Sequence, residues 1–266
     1  MNVKRILLTG DDGYNAIGTR LLVHFLKKDF ELTIVGTKVQ QSGVGGKVTV
    51  GQNLRWDETA VDGIPAYYVD ATPADIIVFC KEYFSRSFDL VISGINLGVN
   101  VGGCLLSSGT YAAAFFAQDM GLAPHAIAIS YDSSYRMQIK NHGFDDDLSS
   151  YFDYPGNVAN KLIREAIRND FWGAMILNVN LPSKKTTTVH FAKPLEDIYG
   201  YWVPPVLDMV TRQFSYPKKN HAKLKKEPIW DTAIIEKGNI SISPCQPTML
   251  DIDVYEKVKD KQISLK

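Results

Sequence analysis

Short apolar runs, bounded by glycines and charged turns, recur along the first two thirds of the chain. They alternate with segments whose apolar positions return every three or four residues. "RILLT", "ELTIVG", "FDLVISG", "HAIAISY" and "AMILNVNLP" read as strands covered on both faces. Between them, Ile17 to Lys28, "ADIIVFCKEYF", Thr110 to Met120 and Asn157 to Asn169 read as helices. Pro73 stands where a first helical turn tolerates proline, with Thr72 before it as the cap. The alternation predicts an α/β fold: a mainly parallel sheet with helices on both faces.

After Pro182 the texture changes. From Ser183 to about Lys237 the chain carries five prolines (Pro194, Pro204, Pro205, Pro217, Pro228) and the aromatics Tyr199, Tyr201, Trp202, Phe214, Tyr216 and Trp230, with little helical periodicity. A structureless loop of that length inside a compact domain is improbable. The pattern predicts an extended arm of hairpins whose aromatics bury against another subunit; a hairpin folded back on its own domain is the alternative. The division expected is a single domain over 1–266, with a core to about 182, an arm to about 237 and a C-terminal segment from 238. "KKNHAKLKK" is a dense basic run without interleaved aromatics, so it reads as a solvated hairpin tip and no nucleic-acid partner is expected.

Lysine plus arginine and aspartate plus glutamate balance at 29 each, so net charge advertises neither nucleic acid nor a membrane surface. The three cysteines are scattered, which argues against a disulfide framework or a thiolate zinc site and suits a reducing compartment. A cytoplasmic protein is expected. The first apolar run is too short for a signal peptide, and no segment approaches the ~20 apolar residues that span a bilayer.

Four loops at or just after predicted strands carry the candidate chemistry. "TGDDG" puts Asp11 and Asp12 side by side where the first strand opens onto the ligand crevice of such folds. Paired carboxylates would repel a bare phosphate, but a divalent cation between them and an anionic substrate makes sense of the charge. The loop lacks the GxGxxG of a dinucleotide site, and Gly13 stands where a DxD phosphatase needs its second aspartate. "QQSGVGGKV" offers Ser42 on a glycine-rich loop that fails the Walker A spacing. "SGINLGVN" supplies Ser93, Asn96 and Asn100, and an asparagine carbonyl oxygen suits a hard cation. "LSSGTYAAA" sets Ser108, Gly109 and Thr110 at a helix start, where free amides favour phosphate. Each motif alone is also an ordinary turn or cap. Ser108 lacks the glycine two residues earlier that a nucleophile elbow requires, and none of the five histidines lies in these loops. Metal-activated water, with Asp11 or Asp12 as the proton acceptor, is therefore the chemistry expected.

In order and spacing, "GDDG", "QQSG", "SGINLGVN" and "SSGTYAAA" resemble the motifs of the SurE family of survival-protein phosphatases. The likeness extends to "ATPADII", "AIAIS", "LNVNLP" and "DTAIIEKGNISISP". The resemblance implies a Rossmann-like three-layer core with an extended β-hairpin arm exchanged between subunits of a homodimer or homotetramer, and a C-terminal tail. It implies a phosphoric monoester hydrolase of the 5'-nucleotidase or acid phosphatase type that acts on nucleoside 5'- and possibly 3'-monophosphates. One divalent cation, Mn or Mg, would be held by Asp11, Asp12, Ser42 and Asn96. The substrate phosphate would meet Asn96, Ser108, Gly109 and Thr110. Gly10 departs from the family's NDDG pattern, which leaves a second reading open: a metal-dependent nucleotide-binding protein with little turnover.

Overall fold

A computed structural model describes residues 2–85, 87–196, 205–216, 227, 229–248 and 252–259. Among these, the apolar runs form strands β1 (Arg5–Thr9), β2 (Glu31–Thr37), β5 (Leu90–Leu97), β6 (Ala126–Tyr131) and β7 (Ile176–Leu181). A hairpin, β3 (Trp56–Val61) and β4 (Ile64–Val69), turns through Asp62 and Gly63, both at positive φ. That is the conformation a two-residue primed turn demands. Two later strands, β8 (Val189–Phe191) and β11 (Ile240–Cys245), join the same sheet. Its order is β3-β4-β2-β1-β5-β6-β7-β11-β8. Pairing is parallel except at β3/β4 and β11/β7.

The helices α1 (Ile17–Leu26) and α4 (Asn157–Arg168) cover one face, with Leu21, Leu22 and Ile163 against Ile92, Ile127 and Leu177. The helices α2 (Pro73–Tyr83) and α3 (Gly109–Asp119) cover the other, through Ile76, Ile77, Ala113 and Ala117. Small residues on α3 let it lie close to the sheet. Thr72 caps α2 as expected, its hydroxyl accepting from the Asp75 amide at 3.2 Å, with Pro73 in the first turn.

The sheet does not stop at residue 182: β11 pairs antiparallel with β7 and leads β8 in, so residues of the expected arm and tail complete the core. Between them runs a short helix, α5 (Asp231–Glu236). Trp230 packs inside the chain beside Val101, Cys104 and Leu195, and so leaves the set of arm aromatics. A separate two-stranded hairpin, β9 (Val206–Asp208) and β10 (Gln213–Ser215), carries exposed apolar side chains. Tyr199, Tyr201, Trp202 and the basic run Lys218 to Lys226 lie outside the described residues. Among the described residues, no helix is long and apolar enough to cross a membrane.

Strand order reverses at β1. The chain first moves to β2 on one side and later to β5 on the other, and crevices of such sheets open at the carboxyl ends beside that switch.

Candidate active site

The loops leaving β1, β2, β5 and β6 converge at the switch point around a cavity of about 210 Å³. Asp11, Ser42, Asn96 and Ser108 all line it, so four residues separated by up to 97 positions in sequence face one space. Asp12 lies behind this wall, bordering a narrow gap with Gly10, Thr19 and Asn96.

Both carboxylates are buried, at 4% and 6% exposure. Asp11 is fixed from α3: the Thr110 hydroxyl donates to Asp11 Oδ1, and the Thr110 amide adds a second hydrogen bond. Asp12 Oδ2 accepts from the Leu97 amide at 2.8 Å, while Oδ1 has no hydrogen-bond partner among the described residues. Among the described residues, no lysine or arginine acts on either group. Burial therefore raises the Asp11 carboxyl, partly offset by the Thr110 hydrogen bonds. Burial first, and the Asp11 charge second, push Asp12 up to about 8. Two adjacent buried carboxylates, one with an orphaned oxygen and neither with a cation, are the donor set a hard divalent ion completes.

The glycine of the third motif has a steric reason. Gly94 has φ +120, and a Cβ there would stand 2.2 Å from the Ile129 carbonyl oxygen. The pairing of β5 with β6 shifts register between Ser93 and Asn96, which turns Asn96 to the cavity. Its amide nitrogen donates to the Gly98 carbonyl at 2.6 Å, so its carbonyl oxygen is the atom left to bind. Ser93, by contrast, is fully buried in the strand. Asn100 reaches the cavity wall on a backbone held from below: its amide donates to Asn180 Oδ1, and its carbonyl accepts from Asn178 and Asn180 at 2.9 Å each.

In the fourth motif Ser108 caps α3, accepting from the Tyr111 amide at 2.9 Å, and its own O–H remains to donate. Gly109 and Thr110 do not line the cavity. Thr110 is fully buried with its hydroxyl on Asp11, and a Cβ on Gly109 would come within 2.9 Å of Asp11 Cβ and 3.0 Å of Pro73 Cγ. The small residue here lets the helix start approach Asp11.

The Ser42 loop is tethered at the start of α2. Asp75 accepts from the Thr49 amide and hydroxyl at 2.9 and 2.7 Å, and Thr72 donates to the Lys47 carbonyl at 2.6 Å. Although burial opposes it, these hydrogen bonds hold the Asp75 carboxyl below its ordinary range. From the late segment, Asp231 accepts from the amides of Gly102, Leu195 and Thr232 at 2.7, 3.1 and 2.7 Å and so pins the turn between β5 and α3.

Sequence reading missed Gln138 and Ile139, which wall the cavity from the segment after β6, and Asp132 at that strand's end. Gln138 and Ile139 sit in an aperiodic stretch and give no signal. Asp132 was findable, because it follows a parallel strand at the crevice edge.

A model of the family described as "Survival protein SurE" matches residues 6–200. A protein of Campylobacter jejuni subsp. doylei named "5'-nucleotidase SurE" is 30% identical over 265 residues, covering 97% of this chain and 96% of its own. One of the same name from Methanopyrus kandleri is 37% identical over 180 residues, covering 67% of this chain and 66% of its own. The crystal structure of the SurE protein from Aquifex aeolicus superposes with a TM-score of 0.73 at 23% identity, covering 96% of this chain and 98% of that one, and so shares the fold.

Proposed function

The chain belongs to the SurE family, and from that premise we propose that it is a hydrolase that releases phosphate from nucleoside 5'-monophosphates with the help of one divalent cation. The observation that carries the reading is the pair of buried carboxylates, Asp11 and Asp12, without a cationic partner among the described residues, at the edge of a polar cavity.

Asp11, Asp12, Ser42 and the Asn96 carbonyl oxygen would hold the cation. When bound, it polarises a phosphate oxygen and lowers the pKa of a coordinated water. Thr110 keeps Asp11 oriented, and the Leu97 amide does the same for Asp12. Ser108 offers its O–H to a phosphate oxygen, while the N-terminal end of α3 favours the charge that develops there. Asp11, the carboxylate on the cavity wall, accepts the proton of the attacking water. Thr110 then acts on Asp11 and not on the phosphate. Hydrolysis of 3'-monophosphates, at the same site with the nucleoside reversed, belongs to the same proposal.

Purified protein is expected to release phosphate from nucleoside 5'-monophosphates with Mn or Mg and to lose that activity in chelator. Undiminished turnover in chelator would overturn the reading. We also infer that the working unit is at least a dimer joined by the arm that contains β9 and β10.

A further inference from the structure

Gln40 stands two residues before Ser42, outside the cavity lining. Its loop is held against the first motif: the Gln41 amide donates to the Asp11 carbonyl at 2.7 Å, and the Thr37 hydroxyl donates to the same oxygen at 3.4 Å. That tether fixes where Gln40 can reach. Its half-buried side chain donates from Nε2 to the Gln138 carbonyl, across 98 positions of sequence, and also hydrogen-bonds the Asp12 carboxylate, beside the Leu97 amide. Gln138 ends a single helical turn after β6, Tyr135–Gln138. The Gln138 side chain donates to the Ser133 carbonyl at 2.9 Å and lies over Gly98, where a Cβ would stand 3.4 and 3.5 Å from its Cγ and Cδ and 3.6 Å from Asn96 Nδ2. One residue thus closes the turn, walls the cavity and covers the Asn96 loop.

The Asp12 carboxylate and the Gln138 carbonyl are both acceptors, so only a group with two N–H donors can serve them together. A primary amide has both, and a carboxylate of the same shape has neither. Resting on the cation site of the nucleotidase reading, we propose that Gln40 is a positioning residue that ties Asp12 to the wall segment 133–139, so that cation binding at Asp12 orders the wall and the wall tightens cation binding. The second effect follows from the first, because coupling between two sites is reciprocal. Gln40 acts through Asp12 and touches neither substrate nor cation.

Hydrogen exchange of the wall amides, 133–139, reads this link without turnover. In the parent, Mn should slow exchange there by about tenfold, the scale of one retained hydrogen bond. Gln40→Met keeps the length of the side chain and removes both donors, while Gln40→Glu keeps its shape and replaces them with acceptors. In both variants Mn should leave wall exchange unchanged. Calorimetric Mn affinity of Gln40→Met should fall about 10–100-fold, as when a group supporting a metal ligand is lost. A merely structural role would speed wall exchange equally with and without Mn, and that result would overturn the proposal. Unchanged Mn affinity in Gln40→Met, or a parent without Mn-dependent protection, would overturn it too. Should Gln40→Met fail to fold, wall exchange in Gln40→Glu decides. A parent whose wall is protected by Mn through Gln40, yet which releases phosphate from no nucleoside monophosphate, would sink the nucleotidase reading and uphold the link. Phosphate release without Mn-dependent protection would do the reverse.

Discussion

Asp12 Oδ1 is a buried acceptor without a hydrogen-bond partner among the described residues, and the charge of Asp11 stands beside it, only partly offset by the Leu97 amide and the Gln40 side chain. Without a cation, this residue works against the fold. Burial and the neighbouring charge push its folded-state pKa up to about 8, above the ordinary aspartate value of 3.8, so the folded chain holds a proton that the unfolded chain releases. The stabilising contribution is then complete below the unfolded pKa and is lost as pH rises through the folded one. Asp12→Asn keeps the shape and removes the charge. In chelator, the variant is expected to melt several degrees above the parent at pH 8, since ~1 kcal/mol moves the midpoint of a chain this size by about 2–4 °C. Its midpoint should also fall less between pH 5 and 8, while phosphate release is lost. Scanning calorimetry reads the first effect, and a variant melting at or below the parent at pH 8 would refute it. Mn or Mg should reverse the order by stabilising the parent more. The carboxylates themselves were visible in "GDDG", because adjacent charges after a strand stand out in any sequence. Their burial and Thr110's role on Asp11 were not, since both arise from contacts between residues far apart in the chain.

At the level of elements, the exit of β1 and the start of α3 touch through two glycines with different demands. At Gly109 any side chain meets Asp11 and Pro73 inside 3.0 Å or at it. Gly109→Ala should therefore displace Asp11, cost about 1–3 kcal/mol as overpacking does, and cut phosphate release. At Gly10 a Cβ would meet only the Gly94 amide nitrogen and Cα, at 3.4 and 3.7 Å, and φ lies outside the left-handed region. Gly10→Asn is expected to leave the fold intact and to raise metal affinity by restoring a supporting amide, whose loss elsewhere costs about 10–100-fold. Melting and metal titration of both variants check the contrast; a Gly10→Asn that unfolds would show the position closed to side chains. The cap Thr72–Pro73 and the parallel strands were legible because their signals are local. The β3–β4 hairpin also had a local signal, Asp62-Gly63, which the strand pattern passed over. Strand β7 read only as buried. Its asparagines, Asn178 and Asn180, acquire meaning from the Asn100 backbone they hold.

Across the whole molecule, the hairpin β9–β10 is a feature whose apolar side chains the described residues leave exposed. Leu207 and Phe214 are each 64% exposed and Val210 is 92% exposed. An aromatic side chain buries ~150–250 Å² when covered, and a stable interface needs about 1,000 Å² or more in total. We infer that a neighbouring subunit supplies the cover. Leu207→Glu combined with Phe214→Glu should shift the mass seen by light scattering from oligomer to monomer; a monomeric parent at micromolar concentration would refute the arm. The sequence by itself determined the α/β class, the strands β1, β2, β5, β6 and β7, and the four loops, because apolar period and turn chemistry act over a few residues. Tertiary structure decided the rest. Antiparallel β11 and the return of β8 come from pairing across long separations, which no local period encodes. The ordered loops pointed to one site, but only the strand order, reversing at β1, sets Asp11, Ser42, Asn96 and Ser108 around one cavity with Asp132 at its far edge.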